Sequence, residues 1–169
     1  GFYVAKDGDG DYTGSVIGSQ NGNASHLGDF IAGATAPTVM MSYAELKFIE
    51  AEANFMLGNT PEAQAAFEAG VTASVLKVTG AANTAWLAGN IIGVPVTLEL
   101  IMTQKYLAGC GTNTAYVDFR RTGLPALTPH PDGVLPAIPK RFPYAQDEIT
   151  YNGENVPSVN ISDKLWWDK

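Results

Sequence analysis

Along Tyr43 to Leu57 the apolar residues recur at three- and four-residue spacing, with strong helix formers throughout and no internal Gly or Pro. Placed at about 100° per residue, they fall on two stripes of one helix. Ala44, Phe48, Ala51 and Phe55 make the first; Leu46, Ile49, Ala53, Met56 and Leu57 make the second. Lys47, Glu50 and Asn54 fill one polar seam between them, Glu45 and Glu52 the other. A helix apolar on two sides is packed from two sides, which predicts an internal place in a helical layer with Phe48 and Phe55 both buried. Gly58 suits the left-handed position that closes a helix. Thr60 as N-cap, Pro61 in the first turn and Glu62 at the positive helix start open a second helix over Pro61 to Val78. Ala63, Ala66, Phe67, Val71 and Val75 form its apolar face, and the short turn makes the pair antiparallel.

Elsewhere the pattern is weaker. Residues 1–38 are rich in Gly, Asp, Asn and Ser without helical period, and predict a loop anchored by Tyr3, Tyr12, Ile17, Leu27 and Phe30. Thr79 to Val94 holds Gly80, Gly89 and Gly93 around Trp86 and Leu87, a connector with one short helical turn. A third helix is predicted over Val96 to Ala108, opened by Pro95 and stopped by Gly109 and Gly111. A fourth, Asn113 to Arg121, turns Tyr116, Val117 and Phe119 inward and carries Arg120 and Arg121 in its last turn, where cations suit the helix dipole. Seven of the ten prolines follow residue 122, which excludes long helices there. Leu124, Leu127, Leu135, Ile138, Phe142, Tyr144, Trp166 and Trp167 argue against a solvated tail, so extended chain wrapping the helices is expected. The chain is thus one domain in three parts: a loop-rich segment 1–38, a helical core 39–121 and a Pro-rich tail 122–169.

Composition narrows the chemistry. At 169 residues and 46% hydrophobic content the chain can bury a sizeable core. A net charge of −7, with ten basic residues and no basic run, argues against a nucleic-acid partner and against attraction to anionic lipid. Cys110 is the only cysteine, so there is no intrachain disulfide, and no run of about 18 apolar residues could span a membrane. Asp7, Asp9 and Asp11 match the first half of a calcium loop, but Tyr12 and Gly18 stand where Gly and an acidic ligand belong. The run reads as a solvated acidic turn, or as a calcium site completed from elsewhere. His26 and His130 lie in no catalytic spacing. Glu45 and Glu52 share a helix face about 10 Å apart, at or beyond the separation used in inverting glycoside hydrolysis. They read better as partly buried carboxylates paired with a cation, Arg120, Arg121 or Arg141.

MSYAELKFIEAEA (residues 41–53), Gln104-Lys105-Tyr106, FRRTGLPAL (Phe119 to Leu127) and IPKRFPYAQDE (Ile138 to Glu148), with Asn152, Asn155 and the terminal LWWDK, occur in an order that resembles the SusD/RagB family. These are glycan-binding outer-membrane lipoproteins of Bacteroidetes-type bacteria. The resemblance spans about residues 40–169, and it implies that the chain is the C-terminal part of a longer protein. It also implies a mainly α fold of tetratricopeptide-like antiparallel helix pairs, an α–α superhelix with long ordered Pro-rich loops. The function implied is starch-utilisation-type nutrient uptake: oligosaccharide binding without bond cleavage, and delivery to a SusC-like TonB-dependent transporter. Surface exposure and a lipid anchor carried upstream follow from the same resemblance. A tetratricopeptide-like scaffold for protein or peptide is the competing reading. Because a sugar ring stacks its C–H face on an aromatic while amides bind its hydroxyls, Trp86 with Asn83 and Asn90, and Tyr12 near Asn21 and Asn23, are the candidate glycan contacts.

Overall fold

The computed structural model describes residues 3–4, 12–15, 23–129, 133 and 135–168. Helices dominate: α1 Asp29–Ala32, α2 Tyr43–Leu57, α3 Thr60–Thr79, α4 Thr84–Asn90, α5 Leu98–Ala108, α6 Thr114–Thr122 and α7 Gln146–Tyr151, followed by a 3-10 turn at Gly153–Asn155. A two-residue antiparallel pair joins β1 Tyr3–Val4 to β2 His26–Leu27. The chain forms two compact units, residues 1–115 and 116–169.

In the first unit α2 and α3 pack as a hairpin, and α5 lies against both. Helix α2 has the predicted bounds; the Ser42 hydroxyl caps it, accepting from the Glu45 N–H at 3.1 Å. Gly58 ends it at φ 81°, and the Asn59 N–H returns to the Asn54 carbonyl at 2.9 Å. Asn59, not Thr60, takes the N-cap position of α3, and Thr60 already lies inside the helix.

Phe48, Phe67, Ile101 and Met102 form the centre of this unit. The Phe48 and Phe67 rings meet edge to face with centroids 6.4 Å apart. Gly70 makes room for this, since a Cβ there would stand 3.2 Å from the Phe48 ring. The first stripe of α2 is therefore core, with Ala44, Phe48 and Ala51 buried and Phe55 half-buried. The second stripe departs from expectation: Leu46, Ile49, Met56 and Leu57 are exposed. Phe55 sits in the last turn of α2.

Side chains of α3 hold the connector before α5. Gln64 donates to the Val94 carbonyl and accepts from the Val96 N–H, both at 2.9 Å, and Glu68 accepts from the Gly93 N–H at 2.9 Å. Of the expected loop anchors, Tyr12, Leu27 and Phe30 are exposed. Tyr3 belongs to β1; Ile17 lies outside the described residues.

The second unit is organised by two of the sequence landmarks. The Tyr116 hydroxyl donates to the Pro139 carbonyl at 2.8 Å, and Arg120 donates to the Lys140 carbonyl at 3.1 Å. Lys140 in turn lies over the Phe119 ring at 4.5 Å, and the Lys140 and Arg141 N–H groups share the Ile161 carbonyl. FRRTGLP and IPKRFPY thus interlock through backbone carbonyls, which Pro-rich chain leaves unpaired and available. Phe142 and Trp166 are exposed, against expectation; Trp167, by contrast, packs on Arg120.

Candidate functional site

Helix α4 gathers the first candidate. The Asn83 side chain caps it, accepting from the Trp86 N–H at 3.2 Å, and Asn90 donates back to the Trp86 carbonyl at 2.9 Å. Residues at i, i+3 and i+7 share a helix face, so the two amides flank one indole. Trp86 is 43% exposed, while Leu87 behind it is buried and fixes the helix to the core. Each asparagine uses one amide atom locally, leaving the Asn83 amino group and the Asn90 carbonyl for other partners. The connector expected to hold a single turn is thus a seven-residue helix presenting an aromatic between two amides. Tyr12 is exposed and Asn23 is as well. Asn21, His130 and the acidic run Asp7, Asp9 and Asp11 lie outside the described residues, among which no cluster of three or more metal-ligating side chains occurs.

A second candidate was not legible in the sequence. The start of α2, the end of α3 and the loop from α5 to α6 enclose a cavity of about 310 Å³, within the range of small-ligand sites. Glu45 on α2, Lys77 on α3, Lys105 on α5 and Thr112 and Thr114 after it line this cavity, with Phe48 as apolar wall. A neighbouring cavity of about 260 Å³ shares Lys77 and Thr112 and adds Phe30 and Cys110. Lys77 stands where the two meet, its Nζ 6.0 Å from the centre of the Phe30 ring. These residues come from segments far apart in the chain, so no local spacing marks them as one site; Glu45, Phe48, Phe30, Lys105 and Cys110 stand out in the sequence, each for a different reason.

The arginine pair has partners inside its own unit. Arg121 bonds Asp118 at 2.8 Å, one turn back on α6. Arg120 lies between the Tyr116 ring at 4.5 Å and the Trp167 ring at 4.8 Å. Its Nε is buried and meets no acceptor among the described residues. Glu45 and Glu52 belong to the other unit. On the α2 surface Lys47 donates to Glu50 at 2.6 Å, and that hydrogen bond raises the Lys47 amine above its ordinary pKa.

A family model described as SusD-like, starch-binding associating with outer membrane, matches residues 2–145, most of the chain. The chain belongs to the SusD-like family. Neither the curated proteins nor the solved structures yield a match. The matched span of this SusD-like chain contains the α2–α3 hairpin, α4 with Trp86 and both cavities. It ends inside the IPKRFPYAQDE landmark. Membership carries glycan binding at the outer membrane as the family's role, and that of a binding protein rather than an enzyme. No helix among the described residues is long and apolar enough to cross a membrane.

Proposed function

We propose that this SusD-like chain binds oligosaccharide at the cell surface without cleaving it and passes it to a partner TonB-dependent transporter. The observation that supports this reading is Trp86, an indole held in the open between two asparagines on a helix anchored by Leu87. An indole face offers stacking area for the C–H side of a pyranose, and the spare amide atoms meet its hydroxyl rim. Tyr12 extends the same chemistry elsewhere on the first unit. Lipid anchoring through an upstream segment belongs to this proposal, by family resemblance.

Affinity electrophoresis through soluble starch tests it. The wild-type chain should be retarded, Trp86→Ala should migrate as in a sugar-free gel, and neither should release reducing ends. Unretarded wild-type protein overturns the reading, as does steady hydrolysis lost in Glu45→Gln. A protein-binding role draws support from one observation, the exposed apolar stripe Leu46, Ile49, Met56 and Leu57 on α2. A scaffold that binds only protein or peptide would pass through starch unretarded.

A further inference from the structure

We propose that Gln64 and Glu68 are positioning residues for the Trp86 sugar contact, which they hold from α3 through the connector that follows α4; the proposal rests on the oligosaccharide-binding reading above and deepens it. The backbone of that connector lies outside any helix or strand. Gly93 turns the chain at φ 77°, and Pro95 has no N–H to give. Three of its polar groups go instead to two half-buried side chains one turn apart on α3. The Gln64 amide donates to the Val94 carbonyl and accepts from the Val96 N–H, so a single side chain engages both sides of Pro95. Glu68 accepts from the Gly93 N–H, and the same carboxylate oxygen accepts from Gln64 Nε2 at 2.7 Å. Gln64 thereby commits its amide protons and its carbonyl at once, and the amide cannot turn without breaking a bond.

This strap bears on Trp86 because of what else holds α4. Leu87 in the helix and Ile91 at its C-terminal cap are buried, and at i and i+4 they lie on one line along the helix. Two anchors on one line fix the depth of a short helix but not its rotation about that line. Trp86 precedes Leu87 and stands about 100° round the axis, so any roll of α4 swings the indole. The roll is stopped beyond the C-terminus. The Ile91 and Ile92 N–H groups both return to the Leu87 carbonyl at 2.9 Å, and the Val94 N–H returns to the Ile91 carbonyl at 3.1 Å. The chain between helix and strap is therefore itself tied, and fixing Gly93, Val94 and Val96 to α3 fixes the direction in which the indole faces. An aromatic held in its binding orientation loses less entropy when a pyranose stacks on it.

The experiment is affinity electrophoresis of the full chain through a series of soluble-starch concentrations, paired with fluorine NMR of fluorotryptophan-labelled protein. Trp86→Phe assigns the Trp86 resonance. Glu68→Ala should weaken starch binding about three- to tenfold, the cost of ordering one freed side chain. It should also shift or broaden the Trp86 resonance while those of Trp166 and Trp167 stay in place. Glu68→Gln keeps an acceptor for the Gly93 N–H and should recover wild-type retardation. Circular dichroism melts establish that the variants fold; should Glu68→Ala unfold, Gln64→Met severs the same strap from its other residue, with the same expected effects. Wild-type retardation in a folded strap variant, an unmoved Trp86 resonance, or a Glu68→Gln variant as weak as Glu68→Ala each overturns the proposal. If Trp86→Ala abolishes retardation and Glu68→Ala leaves it intact, this inference fails alone; if the wild type is not retarded, it fails with the oligosaccharide reading.

Discussion

Phe48 is wholly buried, and its ring is hemmed by Phe67 at its edge and by the bare backbone of Gly70. Removing it leaves a cavity that a close-packed core fills only in part. Phe48→Ala should therefore cost about 3–5 kcal/mol in denaturant unfolding; a loss under about 1 kcal/mol would show that the site collapses freely. Gly70 tests the same contact from the other side. Alanine is the better helix former by about 1 kcal/mol, but its methyl would press a ring that has no room to move, at about 1–3 kcal/mol. Gly70→Ala should thus destabilise, by less than Phe48→Ala. Arg120 and Arg121 raise a different question at this scale, because the sequence-based expectation joins one of them to Glu45 or Glu52. Arg120 keeps a buried Nε without an acceptor among the described residues.

Among the elements, the α2–α3 hairpin depends on one left-handed residue. Gly58 has open space where a side chain would project, so any penalty there is conformational and not steric. Gly58→Ala should cost about 1–2 kcal/mol and leave the crowding of the core untouched; an unchanged melting temperature would mean that the turn re-forms another way. This hairpin was the most legible part of the chain, since an uninterrupted run of helix formers and a Gly-Asn turn admit few alternatives. Its outer face was not. Apolar spacing tells which residues share a stripe but not what covers it, and Leu46, Ile49, Met56 and Leu57 prove exposed. The helix around Trp86 was underestimated because Asn83 as cap and Asn90 as closing bond are local hydrogen bonds that composition does not reveal. For the cavity the cause is topological: Lys77 and Thr112 are neighbours only once α3 and α5 have packed.

At the scale of the whole molecule, helical content and family membership were readable because the landmark segments retain their order over most of the chain. The interlock of α6 with IPKRFPY gives those landmarks a physical reason for existing, as the Pro139 and Lys140 carbonyls accept from the Tyr116 and Arg120 side chains. What the pattern could not supply was the location of a concave surface, which is a property of assembled elements. Cys110 is exposed and lines the smaller cavity beside Lys77. Being the sole thiol in 169 residues, it makes the native chain chemically addressable at one point. A maleimide fluorophore should attach at unit stoichiometry without engineering, and a bound guest should slow the attachment. If the attachment rate is indifferent to a saturating oligosaccharide, the guest lies elsewhere; if it is retarded, the labelling rate itself reports occupancy.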